Sequence, residues 1–241
     1  MAKKLFKYFS ELIIIIAGIS ISLFFDELAE DHKKDQLEVY YLQSLADNLR
    51  EDSISLKSKI QFIEKVEAAA DVLLKHFLEA RNQKFSSDSI VNSQTALLQH
   101  SIFASNKSAY EELKSTGNFV AIKNKQLKNS IFSYYGTTDN TMQDDLSADN
   151  VITFYVYEKL NNNLPLSSLA NAKNADFHFL FEGIDFGQLE LPTSKQVDTN
   201  ELINAIIIRK GINSAQKAKY FSLMKQNHSL MLAIRKELSE K

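Results

Sequence analysis

The sequence predicts an all-α protein in which a single N-terminal transmembrane helix continues into a long helical stalk and an antiparallel helical bundle. Three observations lead to this fold class. Residues 12–25 are apolar apart from two serines, the 241 residues include only two prolines and six glycines, and apolar side chains recur at steps of three and four beyond the apolar run. Scarce helix breakers permit long helices, and this spacing is typical of one helix face.

The predicted span covers residues 5–25. At 1.5 Å per residue such a helix is about 30 Å long, which matches the hydrocarbon core of a bilayer. Ser20 and Ser22 can return their hydroxyls to carbonyls of the preceding turn and are tolerated in lipid. The centre of the predicted span consists of Leu12, Ile13, Ile14, Ile15, Ile16, Ala17, Gly18, Ile19, Ser20, Ile21, Ser22 and Leu23.

A cleavable signal peptide is the competing interpretation, with Lys3, Lys4 and Lys7 as its basic region. The apolar run ends in large side chains followed by Asp26 and Glu27, and no small-x-small cleavage site is present there, so an uncleaved anchor is favoured. The basic residues lie closest to the apolar run on its N-terminal side. The positive-inside rule therefore predicts a cytoplasmic N-terminus and a periplasmic domain at a bacterial inner membrane.

Glu11 lies about one turn inside the predicted span, where an ionisable side chain is costly and by default suggests a function. Lys7 is one helical turn away, so the two side chains can pair and reach the headgroups together. Glu11 and Lys7 are the candidate functional residues, and their structural pairing is the alternative to a role in ion handling.

Gly18 and Ser22 form a small-x-x-x-small pair. Small residues at this spacing let two transmembrane helices approach closely. The pattern is compatible with a homo-oligomer or with packing against another membrane protein, which together with membrane lipid are the expected partners.

The helix is predicted to continue through residues 26–81 as a stalk or bundle helix, because residues 19–81 contain neither glycine nor proline. Nine of eleven positions on one seam are apolar, and Asp52 and Lys59 interrupt it. The two polar residues could specify the register of a coiled coil, or mark where another helix of the same chain takes over the contact. The seam consists of Leu42, Leu45, Leu49, Asp52, Leu56, Lys59, Ile63, Val66, Ala70, Leu73 and Phe77.

Residues 82–160 are predicted to complete a helical bundle after a turn at residues 82–87. Ser108 and Glu111 have the spacing of a capping box, and Gly117 is a natural C-cap for the helix that they begin. Residues 151–157 have a strand-like composition, but we predict helix there because the flanking sequence permits helix and contains no turn signals.

Residues 161–199 are predicted to be irregular, and residues 200–241 form a C-terminal helix that Gly211 could interrupt. Aromatic residues crowd the irregular segment and could line a partner surface or plug the open end of the bundle. These candidates are Phe177, Phe179, Phe181 and Phe186. The apolar seam expected on the C-terminal helix consists of Leu202, Ile203, Ile206, Ile207, Phe221, Met224, Met231, Ile234 and Leu238.

The sequence contains no pattern that predicts catalysis or a cofactor. Phosphate-binding glycine motifs, zinc-protease motifs and a serine nucleophile elbow are absent, the five histidines are scattered, and there is no cysteine. Four aspartates cluster at residues 139–149 without calcium-loop spacing, which favours a solvated helix face. The formal net charge of −2 gives no reason to expect nucleic acid.

Two stretches resemble a family of small uncharacterised bitopic bacterial membrane proteins. Residues 10–23, followed by Asp26 and Glu27, are similar to that family's span, with a glutamate near its start and a glycine midway. Many members have an Asn-Trp-rich sequence where Asp26 and Glu27 stand, so no role of that indole carries over.

The second stretch is residues 110–118, which is similar to the family's helix–Gly–helix element ending in the paired tyrosines Tyr134 and Tyr135. The resemblance covers roughly the first 135 residues and implies a topology without an activity. Together the patterns predict a non-enzymatic, membrane-anchored helical interaction, sensory or scaffold module of the bacterial envelope that is oligomeric. The alternative is a subunit of a channel or ion-coupled complex that uses Glu11.

Overall fold

The structure is a computed structural model that describes the backbone of residues 2–79, 87–163 and 199–240. Side chains are described within these ranges except at residues 2–12, 79, 87, 88, 91 and 161–163. The described residues form helices and short connections, with no strand among them, so the all-α prediction is confirmed. In chain order the helices are α1 (Ala2–Glu79), α2 (Ser87–Leu98), α3 (Ser108–Ser115), α4 (Lys125–Val151), α5 (Tyr157–Asn163) and α6 (Thr199–Ser239).

Helix α1 is a single helix of 78 residues, and it continues past Phe25 as the absence of helix breakers predicts. The predicted seam from Leu42 to Phe77 lies on its buried side, with Lys59 and Phe77 only partly buried. Helix α6 is likewise continuous for 41 residues, and Gly211 does not interrupt it. Gly136 lies within α4 without breaking that helix.

Two short segments next to the α-helices have other helical conformations. Gly117 follows α3 with a φ of 73°, the left-handed conformation that glycine adopts without a steric cost, and a 3₁₀ turn at Asn118–Ala121 comes next. Between α4 and α5 the helix widens into a π-helical turn at Ile152–Val156. The prediction of helix over residues 151–157 is thus correct, although the π-turn was not anticipated.

The chain divides into two compact units. Unit 1 comprises Met1–Leu49, Lys107–Phe132 and Leu230–Lys241. Its buried side chains come from α1, α3, the 3₁₀ turn and the adjacent parts of α4 and α6. They include Tyr41, Leu42, Leu45, Leu49, Ala109, Leu113, Ala121, Ile122, Leu127, Ile131, Leu230 and Ile234.

Unit 2 comprises Arg50–Asn106 and Ser133–Ser229. Its apolar core brings α1 and α2 together with the π-turn, α5 and α6. That core consists of Val66, Ala70, Leu73, Leu97, Val156, Leu160, Leu202 and Ile206.

The capping box predicted at Ser108 and Glu111 is wrong. Ser108 is the first residue inside α3, Lys107 occupies the N-cap position, and no side chain of the N-cap residue caps the helix. Asn48 of α1 supplies the contact instead: its Oδ1 accepts a hydrogen bond of 3.3 Å from the main-chain N–H of Ala109, and its Nδ2 donates one of 2.8 Å to Oγ of Ser108.

Candidate functional site

An apolar segment near the start of α1, in unit 1, has large side chains exposed on every side of the helix. Four consecutive isoleucines begin it, and consecutive helical residues point about 100° apart, so apolar side chains face all directions. Each of the large side chains is between 51% and 70% exposed: Ile13, Ile14, Ile15, Ile16, Ile19, Ile21, Leu23, Phe24 and Phe25. The segment has none of the polar face that a helix on a protein surface normally has.

Within the part of the chain that the structure describes, no helix combines the length and the apolarity needed to cross a membrane. The side chains of Lys7, Glu11 and Leu12 lie outside the described residues, and so does the predicted pairing of Lys7 with Glu11. Gly18 lies within the apolar segment, and a Cβ atom added there would meet nothing within 4 Å.

The aromatic candidates for a partner surface, Phe177, Phe179, Phe181 and Phe186, lie outside the described residues. Their predicted role therefore stays a prediction.

The interior of unit 2 contains a polar network centred on Asp52. Its carboxylate is only 1% exposed. Oδ2 accepts a hydrogen bond of 2.8 Å from the phenol of Tyr134 on α4, and Oδ1 accepts one of 2.7 Å from the main-chain N–H of Asn106. Nδ2 of Asn227 on α6 donates a further bond of 3.1 Å to the Tyr134 oxygen. Asp52 therefore marks the point where other helices of the same chain meet the seam, which is one of the two predicted explanations.

A second polar network in unit 2 is centred on Asp145, whose side chain is fully buried. Its carboxylate accepts hydrogen bonds from the phenol of Tyr220 and, at 3.2 Å, from Nε2 of Gln216. The Tyr220 oxygen in turn accepts a bond of 3.3 Å from the main-chain N–H of Phe103. The prediction that this aspartate cluster forms a solvated helix face is therefore wrong for Asp145, because α6 packs its own polar side chains against it.

Burial changes the proton affinity of the groups in both networks. The pKa of Tyr134 and that of Tyr220 are raised, chiefly because burial disfavours the phenolate and then because a neighbouring aspartate repels it. Burial also raises the pKa of Asp145, although its bonds to Tyr220 and Gln216 oppose the shift. Phenols with raised pKa values stay protonated at neutral pH and donate hydrogen bonds, so they link the helices rather than transfer protons.

Arg209 is a third buried polar group of unit 2, and it is 1% exposed. Its Nε donates a hydrogen bond of 3.2 Å to the carbonyl of Leu97, and its Nη2 donates one to the carbonyl of Gln99. Burial lowers the pKa of Arg209 to about 10, which leaves the guanidinium charged at neutral pH. The side chain holds the C-terminal end of α2 against α6.

The seam predicted for α6 leaves out its buried polar groups, because apolar residues alone define it. Ile207 and Phe221, both expected on that seam, are 53% and 47% exposed. The buried positions follow alternating steps of four and three, and polar residues occupy the middle of the series. That spacing was the available signal: Leu202, Ile206, Arg209, Asn213, Gln216, Tyr220, Leu223, Asn227, Leu230 and Ile234.

Among the described residues, no group of three or more histidine, aspartate or glutamate side chains is placed to hold a metal ion. Comparisons with protein-family models, curated proteins and solved structures found no match to this chain. The candidate site is therefore defined by geometry alone: an exposed apolar helical segment in unit 1 and buried polar networks in unit 2.

Proposed function

We propose that this chain is a non-enzymatic, membrane-anchored helical interaction module of the bacterial envelope. In this proposal residues 5–25 cross the inner membrane once, and the remaining helices form a water-exposed scaffold. The apolar segment of α1 is the observation that carries the proposal. Nine large apolar side chains there are more than half exposed, and such a surface is stable only where something apolar covers it.

The free energy gained by burying these side chains favours a permanently apolar environment for the segment. Burying one large aliphatic or aromatic side chain contributes about 1.5–3 kcal/mol, so covering nine that are roughly half exposed contributes on the order of 10 kcal/mol. A lipid bilayer covers all sides of one helix at once, as the distribution of these side chains requires. A single partner helix would cover only one stripe.

The scaffold role is supported by the path of α1 and by the contacts that hold it in unit 1. The helix that carries the apolar segment continues without a break to the residues that contact α3 and the 3₁₀ turn. Tyr41 donates a hydrogen bond of 3.2 Å to Glu112 and accepts one of 2.8 Å from Asn118, and Glu38 accepts one of 2.8 Å from the main-chain N–H of Lys123. A movement of the anchor would thus be transmitted directly to unit 1.

The proposed orientation places the N-terminus in the cytoplasm and the helical units in the periplasm. Lys3, Lys4 and Lys7 precede the apolar segment, whereas Asp26 and Glu27 follow it immediately. Fusion of a periplasm-dependent reporter enzyme to the C-terminus tests this orientation. An active reporter supports the proposal, and an inactive reporter with a fluorescent cytoplasmic counterpart contradicts it.

The proposed partner within the membrane is a second copy of the chain. Gly18 has open space around the position of a Cβ atom, and Ser22 lies one turn further along the same helix. Two helices can approach closely over such a pair. Gly18→Leu should therefore reduce cross-linked dimer in native membranes, whereas Ile14→Leu, which changes no small residue, should leave it unchanged.

Membrane association is the experiment that tests the function as a whole. Ile15→Lys combined with Ile19→Lys should move the full-length protein from the carbonate-resistant membrane pellet to the soluble or aggregated fraction, because two charges at the bilayer centre are costly. Ile54→Lys is the matched control, since Ile54 is 63% exposed on the same helix but lies in unit 2. A wild-type chain that carbonate removes from membranes would contradict the proposal.

A further inference from the structure

Two neighbouring residues of α6 bury polar atoms that no described residue satisfies. Arg209 and Asn213 are each 1% exposed and lie one turn apart on the same face of the helix. Nη1 of Arg209 and both Nδ2 and Oδ1 of Asn213 have no hydrogen-bond partner in the described part of the chain. Buried polar atoms are nearly always hydrogen-bonded in native proteins, so three such atoms in one turn need a cause.

A fourth atom of the same kind comes from α4. Oδ1 of Asp149 is buried and has no hydrogen bond among the described residues, although Nε2 of His100 lies 3.1 Å from it as an ion-pair partner when the ring is protonated. His100 directly follows Gln99, whose carbonyl Arg209 contacts. The charge of Asp149 raises the pKa of Arg209 against the larger, opposite effect of burial, so the two groups interact electrostatically.

We infer that these atoms surround a binding site for one small neutral molecule with hydrogen-bonding groups of both kinds, namely a buried water molecule. The four atoms comprise two donors, on Arg209 and Asn213, and two acceptors, on Asn213 and Asp149. A water molecule offers two acceptor and two donor directions and matches this set, and buried waters typically make about three such bonds.

Charge favours a neutral occupant over an anion. Arg209 and Asp149 carry opposite charges, so the surroundings are already balanced without a further ion. An anion would satisfy the two donors, but it would leave Oδ1 of Asn213 without a donor. It would also meet the negative charge of Asp149.

A high-resolution crystal structure of the full-length protein tests the site directly. The expected result is one isolated peak of density at hydrogen-bonding distance from at least three of the four atoms, with no anomalous signal after crystals are soaked in bromide. A bromide peak at that position would overturn the inference in favour of an anion site. Close direct contact between Asn213 and Asp149 without intervening density would overturn it as well.

Asn213→Leu provides a second test in solution. If a water molecule satisfies these atoms, the substitution removes two of its partners, and Tm should fall by about 2–6 °C relative to the control, as expected for a few lost hydrogen bonds in a domain of this size. Asn204→Leu is the matched control, because Asn204 is exposed on the same helix and reports the gain in helix propensity alone. A Tm above that of the control would show that Asn213 was unsatisfied and would overturn the inference.

Discussion

The phenol of Tyr134 donates a hydrogen bond of 2.8 Å to Oδ2 of Asp52 inside unit 2. This bond joins α4 to α1, and the bond from Asn227 to the same phenol extends the link to α6. A buried carboxylate is tolerated only when its oxygens accept hydrogen bonds. We therefore expect the burial of the Asp52 carboxylate to depend on the hydrogen bond from Tyr134.

Tyr134→Phe should lower the free energy of unfolding by about 2–3 kcal/mol, because it removes a bond to a buried charged acceptor without changing the shape of the ring. Chemical denaturation of the detergent-solubilised protein measures the change. Tyr155→Phe is the matched control, since Tyr155 is 37% exposed in the same unit. If Tyr134→Phe and Tyr155→Phe have equal free energies of unfolding, the hydrogen bond from Tyr134 to Asp52 does not stabilise the fold.

Adding Asp52→Asn or Asp52→Leu to Tyr134→Phe tests whether the cost arises from the carboxylate. If it does, the loss on replacing Tyr134 should be smaller in the Asp52→Leu background than in the wild-type background. Additive losses would contradict a direct coupling between the two side chains.

The heptad-like seam of α1 could be predicted from the sequence because apolar residues dominate it. The meaning of Asp52 on that seam could not, since spacing identifies a buried face without identifying what packs on it. The partner is Tyr134, which is 82 residues away in the chain. Local sequence carries no information about a contact of that separation.

The seam of α6 was predicted less well for a related reason. Its buried positions keep the steps of three and four, but Arg209, Asn213, Gln216 and Asn227 occupy several of them. A polar residue at a buried position is favourable only when a distant partner satisfies it, as Asp145 does for Gln216. Sequence reasoning that required apolar residues therefore placed part of the seam on Ile207 and Phe221, which are exposed.

Asn48→Ala should destabilise α3, because Asn48 accepts the hydrogen bond from the N–H of Ala109 at the start of that helix. Loss of a capping acceptor costs about 1–2 kcal/mol. The capping box expected from Ser108 and Glu111 would instead have paired the Ser108 hydroxyl with the N–H of Glu111. In the structure the capping acceptor comes from a side chain 61 residues away and serves the N–H of Ala109. Hydrogen exchange of the amides in the first turn of α3 measures the effect.

Ser44→Ala is the control for Asn48→Ala. Ser44 lies one turn earlier on α1, and its hydroxyl donates a hydrogen bond to the carbonyl of Tyr40 in the same helix. Exchange in α3 should be unchanged in that variant. Two results would show that Asn48 does not cap α3: faster exchange in α3 after Ser44→Ala, or an unchanged exchange rate after Asn48→Ala.

Asp145→Asn should change how stability depends on pH. The pKa of Asp145 is raised in the folded state, so the folded protein holds this proton more tightly than the unfolded chain does. Its contribution to stability is therefore fully present below the unfolded pKa of about 3.9 and is lost as the pH rises through the raised folded value. The difference in Tm, Asp145→Asn minus wild type, should become more positive as the pH rises from 4 to 7.

Asp144→Asn is the control for this titration, because Asp144 is exposed and pairs with Lys219 at 2.7 Å on the surface. Its Tm difference from wild type should not become more positive over the same range, since removing a surface ion pair has little effect and acts in the opposite direction. Parallel pH profiles for the two variants would show that burial of Asp145 does not control the titration.

Glu11→Gln distinguishes the anchor proposed here from the alternative of a channel or ion-coupled subunit. If Glu11 serves only to pair with Lys7 near the headgroups, the variant should insert into liposomes and leave their proton leak and cation conductance equal to those of the wild type, because a neutral side chain at that depth is less costly. If Glu11 handles ions, the wild-type protein should conduct above empty liposomes, and Glu11→Gln should reduce that conductance several-fold. Lys7→Gln completes the set: conductance that depends on Glu11 but not on Lys7 would favour the ion-handling role, whereas no conductance in any of the three proteins would remove the only observation that supports it.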